Sequence, residues 1–134
     1  MVARMGSAIK SLGEVALRVN DLPRMKGFYQ ALLGLDILGE SATSVFFRIA
    51  PGYGGHTQVF VLFARGVEVS AEHTTVDHVA FTIALEDYES ERARLTGLGL
   101  SVEVSRHEWV KWRSLYVHDP EGNEVEFVCF DPSV

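Results

Sequence analysis

The chain repeats itself. Gly13-Glu14-Val15-Ala16-Leu17-Arg18-Val19 and Asp77-His78-Val79-Ala80-Phe81-Thr82-Ile83 are two versions of one strand, 64 residues apart, and Leu33-Gly34-Leu35 returns 65 residues later as Leu98-Gly99-Leu100. One residue inserted in a loop accounts for the change of offset. A chain built from two copies of one supersecondary unit buries a core shared between the copies.

Each copy opens on alternation, the period of a half-buried strand. Val15, Leu17 and Val19 oppose Glu14, Ala16 and Arg18; Val79, Phe81 and Ile83 oppose His78, Ala80 and Thr82. Asn20-Asp21 then offers caps before Leu22-Pro23, and Met25, Phe28, Tyr29, Leu32 and Leu33 recur at helical spacing until Gly34. The second helix is expected over Glu86 to Leu98, with Tyr88, Ala93, Leu95 and Leu98 apolar and Gly97 and Gly99 at its end. Three strands should follow each helix: 35–38, 44–49 and 57–63, then 100–104, 113–117 and 124–130. Their turns lie in Pro51-Gly52-Tyr53-Gly54-Gly55 and Asp119-Pro120-Glu121-Gly122-Asn123. The expectation is an α+β fold of two βαβββ modules, 12–66 and 76–132, in one domain over 12–132. Their mixed sheets form a cleft, behind an N-terminal tail over 1–11.

A length of 134 residues suits one domain with a real core. No run approaches the roughly 20 apolar residues of a membrane helix, and no signal peptide is evident, so neither a membrane partner nor export is expected. A net charge of −6 without a basic block argues against nucleic acid, whose binding depends on neutralised phosphates. The lone Cys129 reads as a small core residue, and nothing speaks against a cytoplasmic location. His73, His107 and His118 read as surface residues.

The chemistry-bearing residues stand on the strands. Glu14 and His78 hold equivalent places in the repeat, and Glu126 shares a strand face with Glu124, opposite Val125, Phe127 and Cys129. Carboxylates brought toward a cavity need an offset for their desolvation. A divalent cation held by Glu14, His78 and Glu126, with water in the open positions, satisfies all three; Mn, Fe, Co, Ni or Zn suits such a mixed nitrogen and oxygen set.

The repeated βαβββ, Leu17-Arg18-Val19 with Asp21-Leu22, Phe28-Tyr29 before Leu33-Gly34-Leu35, and Asp119-Pro120-Glu121-Gly122-Asn123 with Glu126 together resemble the vicinal oxygen chelate superfamily. That group contains glyoxalase I, extradiol dioxygenases, methylmalonyl-CoA epimerase and the fosfomycin- and bleomycin-resistance proteins. The resemblance covers about residues 12 to 132. It implies the glyoxalase/bleomycin-resistance/dioxygenase-like fold, metal ligands at Glu14, His78 and Glu126, and a homodimer in which Glu14 meets His78 and Glu126 within one chain or across the interface. Glu14 departs from the histidine most common in the dioxygenases and fosfomycin enzymes.

Aligning 60–63 with 127–130 sets Val59 where Glu126 stands; a one-residue slip sets Gln58 there, with His56 on its face, so a fourth ligand or substrate contact depends on register. In Trp109-Val110-Lys111-Trp112-Arg113-Ser114-Leu115-Tyr116, either Trp112, Ser114 and Tyr116 or else Trp109 and Arg113 face the cleft and bind a small organic substrate. The expected function is a metal-dependent, glyoxalase-like isomerase or lyase. Its small substrate chelates the cation through neighbouring oxygens, and Glu126 is the base. Extradiol-type dioxygenation, epimerisation of an acyl thioester, and metal-free binding of an aromatic ligand are the alternatives.

Overall fold

The computed structural model describes residues 9–66 and 76–134; His73 and positions 1–8 of the expected tail lie outside the described residues. The first half runs β1 (Glu14–Val19), α1 (Leu22–Leu33), β2 (Ile37–Ser41), β3 (Ser44–Ala50) and β4 (Gln58–Ala64). The second runs β5 (His78–Thr82), a single 3-10 turn (Leu85–Asp87), α2 (Tyr88–Gly97), β6 (Glu103–His107), β7 (Trp112–His118) and β8 (Glu124–Phe130).

Each half makes one four-stranded mixed sheet, ordered β1-β4-β3-β2 and β5-β8-β7-β6. The first strand of each half lies parallel to the last, and the other pairings are antiparallel. This is the α+β arrangement expected from the repeat. Among the described residues no helix is long and apolar enough to cross a membrane.

Two strands begin later than the alternation suggests. β2 starts at Ile37 rather than Leu35, and β6 at Glu103 rather than Leu100. The chain leaves each helix through a glycine in the left-handed region, Gly34 (φ 61°) or Gly99 (φ 82°), and uses the next two or three residues to cross to the sheet. Leu35, Leu100 and Val102 are apolar because they pack against the core during that crossing. The second helix is also shorter than expected, and Leu98, just past its end, is exposed.

One apolar cluster joins both halves. Leu17, Val19, Met25, Tyr29 and Leu32 pack with Tyr88, Leu95, Leu115, Val117, Val125, Phe127 and Cys129. Phe60 and Phe81 meet edge to face at 5.7 Å between centroids, and Phe81 stacks on Phe127 at 6.0 Å, so aromatic contacts cross from one sheet to the other. Cys129 is buried in this core, as its strand position suggested.

Helix α1 is held at both ends by the second half. The Glu121 carboxylate accepts from the backbone N–H groups of Asn20 and Asp21, ahead of the Asp21 N-cap. At the other end Arg94 donates to the carbonyls of Ala31 and Leu32, where terminal carbonyls lack helical partners. Between these, Tyr29 donates to buried Asp119 at 2.7 Å, and Asp119 also accepts from the backbone of Glu121 and Asn123 and from the Asn123 amide. The Asp-Pro-Glu-Gly-Asn turn is therefore a clasp between halves as well as a turn.

A second buried carboxylate gives the fold a signature in acid. Hydrogen bonds from Ser133, then the Arg113 guanidinium, hold the Asp131 carboxyl below the usual range. Its folded-state pKa lies under the unfolded value of about 3.9, so its stabilisation is complete above that pH and is lost as pH falls through the folded value. Urea unfolding between pH 5 and 3 should show wild-type protein losing more stability than Asp131→Asn.

Candidate functional site

The side chains that point away from the helices form the candidate site. In the second sheet this face carries His78 and Ala80 from β5, Glu124 and Glu126 from β8, and Ser114 and Tyr116 from β7, because Ala80 pairs with Glu126 and Tyr116 pairs with Glu126 on its other side. His78 Nε2 lies 3.1 Å from Glu126 Oε1, and Ser114 Oγ donates to Glu126 Oε2 at 2.6 Å. Glu126 is 6% exposed, a carboxylate buried among polar partners.

On its other nitrogen, His78 Nδ1 meets Asp77 Oδ2 at 2.7 Å. That hydrogen bond above all, with the Glu126, Asp77 and Glu124 charges, raises the imidazole pKa against an opposing effect of burial. A cation arriving at Nε2 must displace a proton that these carboxylates favour.

The donor set fits a divalent metal. Two cis ligands bonded at about 2.1 Å around an octahedral ion stand about 3 Å apart, the spacing of His78 Nε2 and Glu126 Oε1. Asp77 sits where the carboxylate behind a metal-bound histidine orients the ring. Asp77, His78 and Glu124 also offer ligand atoms within 4.8 Å of one another, the group of three found among the described residues.

Glu14 lies apart from that group, on β1 in the first sheet, exposed to solvent. It lines a hollow of about 440 Å³ together with Gln58 and Val59 from β4 and Ala80 and Thr82 from β5. Glu14 thus opens on a space that the face carrying His78 also borders, with no direct contact between them.

Register answers the question of a fourth ligand. Glu14 pairs with Val59 and Ala16 with Val61, while His78 pairs with Glu124 and Ala80 with Glu126. The counterpart of Glu126 in the first half is therefore Val61, not Val59 or Gln58, and it has no donor atom. Gln58 spends its amide on the Leu12 carbonyl at 2.7 Å, steadying the approach to Glu14. His56 stays in the loop before β4, its ring against Gly13, where an added Cβ would lie 3.2 Å from it.

The same alternation decides between the two aromatic arrangements. Trp112, Ser114 and Tyr116 share the face of Glu126, with Trp112 opposite Phe130. Arg113 belongs to the helix side with Leu115 and Val117. Its guanidinium lies 3.9 Å from the Tyr88 ring centroid and pairs with Glu89 and Asp131, so it braces α2 rather than facing the site. Trp109 is 86% exposed at the tip of the β6–β7 hairpin.

Two partners escaped the reading of the sequence. Asp77 precedes the histidine directly, which was its only signal. His107 lies on β6, and its Nε2 is 2.9 Å from the Tyr116 hydroxyl, a pairing that only the folded hairpin creates. Partial burial raises the Tyr116 phenol pKa, opposed by its hydrogen bond with Ser114 and reinforced by Glu126 and Glu124.

With this geometry in view, known proteins show likeness over nearly the whole chain. The profile of the Glyoxalase/Bleomycin resistance protein/Dioxygenase superfamily matches residues 11–127. Glutathione transferase FosA of Serratia marcescens is 28% identical over 119 residues, 88% of this chain and 79% of that one. Lactoylglutathione lyase of Salmonella typhimurium is 28% identical over 117 residues, 84% of this chain and 87% of the other. Among solved structures, an integron cassette protein from the mobile metagenome of the Halifax Harbour sewage outfall superposes with a TM-score of 0.74 at 29% identity, over 91% of this chain and 100% of that one. The fosfomycin resistance protein FosX of Listeria monocytogenes, in complex with Mn(II) and sulfate, superposes at 0.70 over 93% and 94% of the two chains; at 22% identity that likeness concerns the fold.

Proposed function

We propose that this chain, which belongs to the Glyoxalase/Bleomycin resistance protein/Dioxygenase superfamily, is a metal-dependent enzyme that acts on a small substrate offering two neighbouring oxygens. His78 and Glu126 hold the cation and Glu14 is its third ligand. The observation that carries this reading is the 3.1 Å approach of His78 Nε2 to Glu126 Oε1, with Asp77 behind the ring.

The cation, when bound, supplies Lewis acidity that polarises a carbonyl and eases loss of a proton from the adjoining carbon. The chain's own residues do the rest. Asp77 fixes the His78 ring so that Nε2 points into the site, and Ser114 fixes the Glu126 carboxylate. Glu126, a ligand in the resting site, would act as base once the substrate's oxygens displace it: it takes the proton from the hydroxyl-bearing carbon beside the carbonyl and returns it to the former carbonyl carbon, while the hydroxyl proton passes to the former carbonyl oxygen, an isomerisation with no net gain or loss of atoms. Val61, at the counterpart position of Glu126, has no donor atom, so Glu14 would be the ligand from the first half and a chelating substrate would complete the cation's shell. The glutathione transferase and lactoylglutathione lyase relatives both name glutathione, which supports a thiol or a thiol adduct among the reactants.

A homodimer completes the site in this reading. Glu14 stands on the first sheet and His78 on the second; in this reading two chains pair so that Glu14 of the partner subunit meets His78 and Glu126. Mixing Glu14→Ala with His78→Ala chains should then restore about one metal site in each mixed dimer, roughly a quarter of all sites after random pairing.

The direct test is metal analysis of protein purified without chelator or nickel resin. Wild type should carry roughly one divalent ion per chain, and His78→Ala less than about a tenth of that. Metal-free wild type, or an undiminished His78→Ala variant, refutes the proposal.

A further inference from the structure

The pairing of His107 with Tyr116 lies outside the proposed metal ligands and joins β6 to β7. In the ladder His107 is opposite Trp112, and Tyr116 is opposite Glu103. The two rings therefore meet by leaning toward each other along the strands, across the intervening rung of Ser105 and Ser114. Only small side chains on that rung leave room for the contact. Ser114 is also the residue whose hydroxyl holds Glu126. Tyr116 itself pairs with Glu126 across the β7–β8 ladder, so its ring stands on the same face as the carboxylate.

The direction of the 2.9 Å contact follows from counting protons. A phenol has one to give. Glu126, the ladder partner of Tyr116, is an acceptor that already takes the Ser114 proton on Oε2, and a substrate oxygen beside it would be an acceptor for the Tyr116 proton. The phenol oxygen then needs a donor, and His107 Nε2 is placed to be one. With the opposite arrangement, the phenol proton would be spent on the imidazole and the site would lose its donor.

We propose that His107 is a positioning residue that donates from Nε2 to the Tyr116 oxygen, so that Tyr116 presents its own proton to a substrate oxygen beside Glu126. Tyr116 is then the hydrogen-bond donor that recognises an oxyanion or carbonyl on the side of the site away from His78. This rests on the metal-site reading above for its substrate, but the dyad itself is testable without it.

Two measurements decide the matter. In ¹⁵N-labelled protein as purified, long-range ¹H–¹⁵N spectra should show His107 protonated on Nε2, with the signature perturbed in Tyr116→Phe. In Mn(II)-loaded protein, titration with oxalate, a vicinal dioxygen chelator, should weaken about tenfold in both Tyr116→Phe and His107→Ala. His107→Gln, whose amide N–H can replace the ring donor, should stay within about twofold of wild type. The double variant should be no worse than either single one, and Mn(II) uptake should be unchanged throughout. A His107 proton on Nδ1 alone, wild-type oxalate affinity in His107→Ala, additive losses, or loaded wild type that ignores oxalate each overturn the proposal. Wild type that takes up no Mn(II) defeats the metal reading instead, and the tautomer measurement then judges the dyad.

Discussion

Asp119→Ala is expected to lower the melting temperature by about 10 °C, the largest stability loss among single substitutions outside the apolar core. The carboxylate accepts from four donors at 2.7 to 2.9 Å: the Tyr29 hydroxyl, two backbone N–H groups of its own turn, and the Asn123 amide. Alanine leaves the Tyr29 hydroxyl, on a side chain with no solvent exposure, without its acceptor. Each buried donor so stranded costs about 1–3 kcal/mol, and the turn donors regain water only in part. A loss near 3 kcal/mol spread over a domain of this size gives the stated shift. Burial first, and the nearby Asp119 charge second, push the Tyr29 phenol well above its ordinary pKa, so it remains a donor at every pH the fold survives. Tyr29→Phe removes one donor and leaves the carboxylate its other three, so its loss should be about 1 kcal/mol, and the double variant, which strands no phenol, should lose less than Asp119→Ala. Thermal denaturation of the four proteins checks this; an Asp119→Ala shift under about 3 °C would show that the clasp is incidental.

That clasp illustrates what a linear reading misses. The Asp-Pro-Glu-Gly-Asn run is legible as a turn from its residue types, but nothing local says that Tyr29, 90 residues away, needs the aspartate. The strands were legible because alternation is local: Val15, Leu17 and Val19 had to share a face, and so did Glu124 and Glu126. Alternation also marked 35–38 and 100–104 as strands, since apolar residues that cross from helix to sheet look the same as those that pair. Likeness of residues misled the alignment of the two last strands. Phe60-Val61-Leu62-Phe63 resembles Phe127-Val128-Cys129-Phe130, yet the ladders equate Val61 with Glu126, two positions away from that match. For the hairpin after Trp109, period two left a choice between faces, and only the buried contacts of Leu115 and Val117 assign Arg113 to the helix side. His78 and Glu126 were both named from the sequence, and the structure brings them together; their partners Asp77 and His107 depend on side-chain directions that no spacing reveals.

Glu126→Gln is expected to weaken metal binding by more than 100-fold while leaving the metal-free fold as stable as wild type, or slightly more so. The two halves of that statement have different causes. Glutamine keeps the size of the side chain and one carbonyl oxygen for the Ser114 hydroxyl, so the packing on β8 is undisturbed. It removes the negative charge that a divalent ion would neutralise. Changing residues behind a ligand costs about 10–100-fold in affinity, and changing the ligand itself should cost more. In the metal-free protein the same charge is a burden. Glu126 is buried while its partner His78 is about one-third exposed, so the imidazole returns only part of the cost of desolvating the carboxylate. A residue kept for folding would show the reverse pattern, with stability falling and metal uptake unaffected. Paired measurements of Mn(II) affinity by titration and of chelator-treated stability by urea unfolding separate the two. Loss of stability with unchanged Mn(II) affinity would make Glu126 a structural carboxylate and remove the ligand on which the proposed chemistry depends.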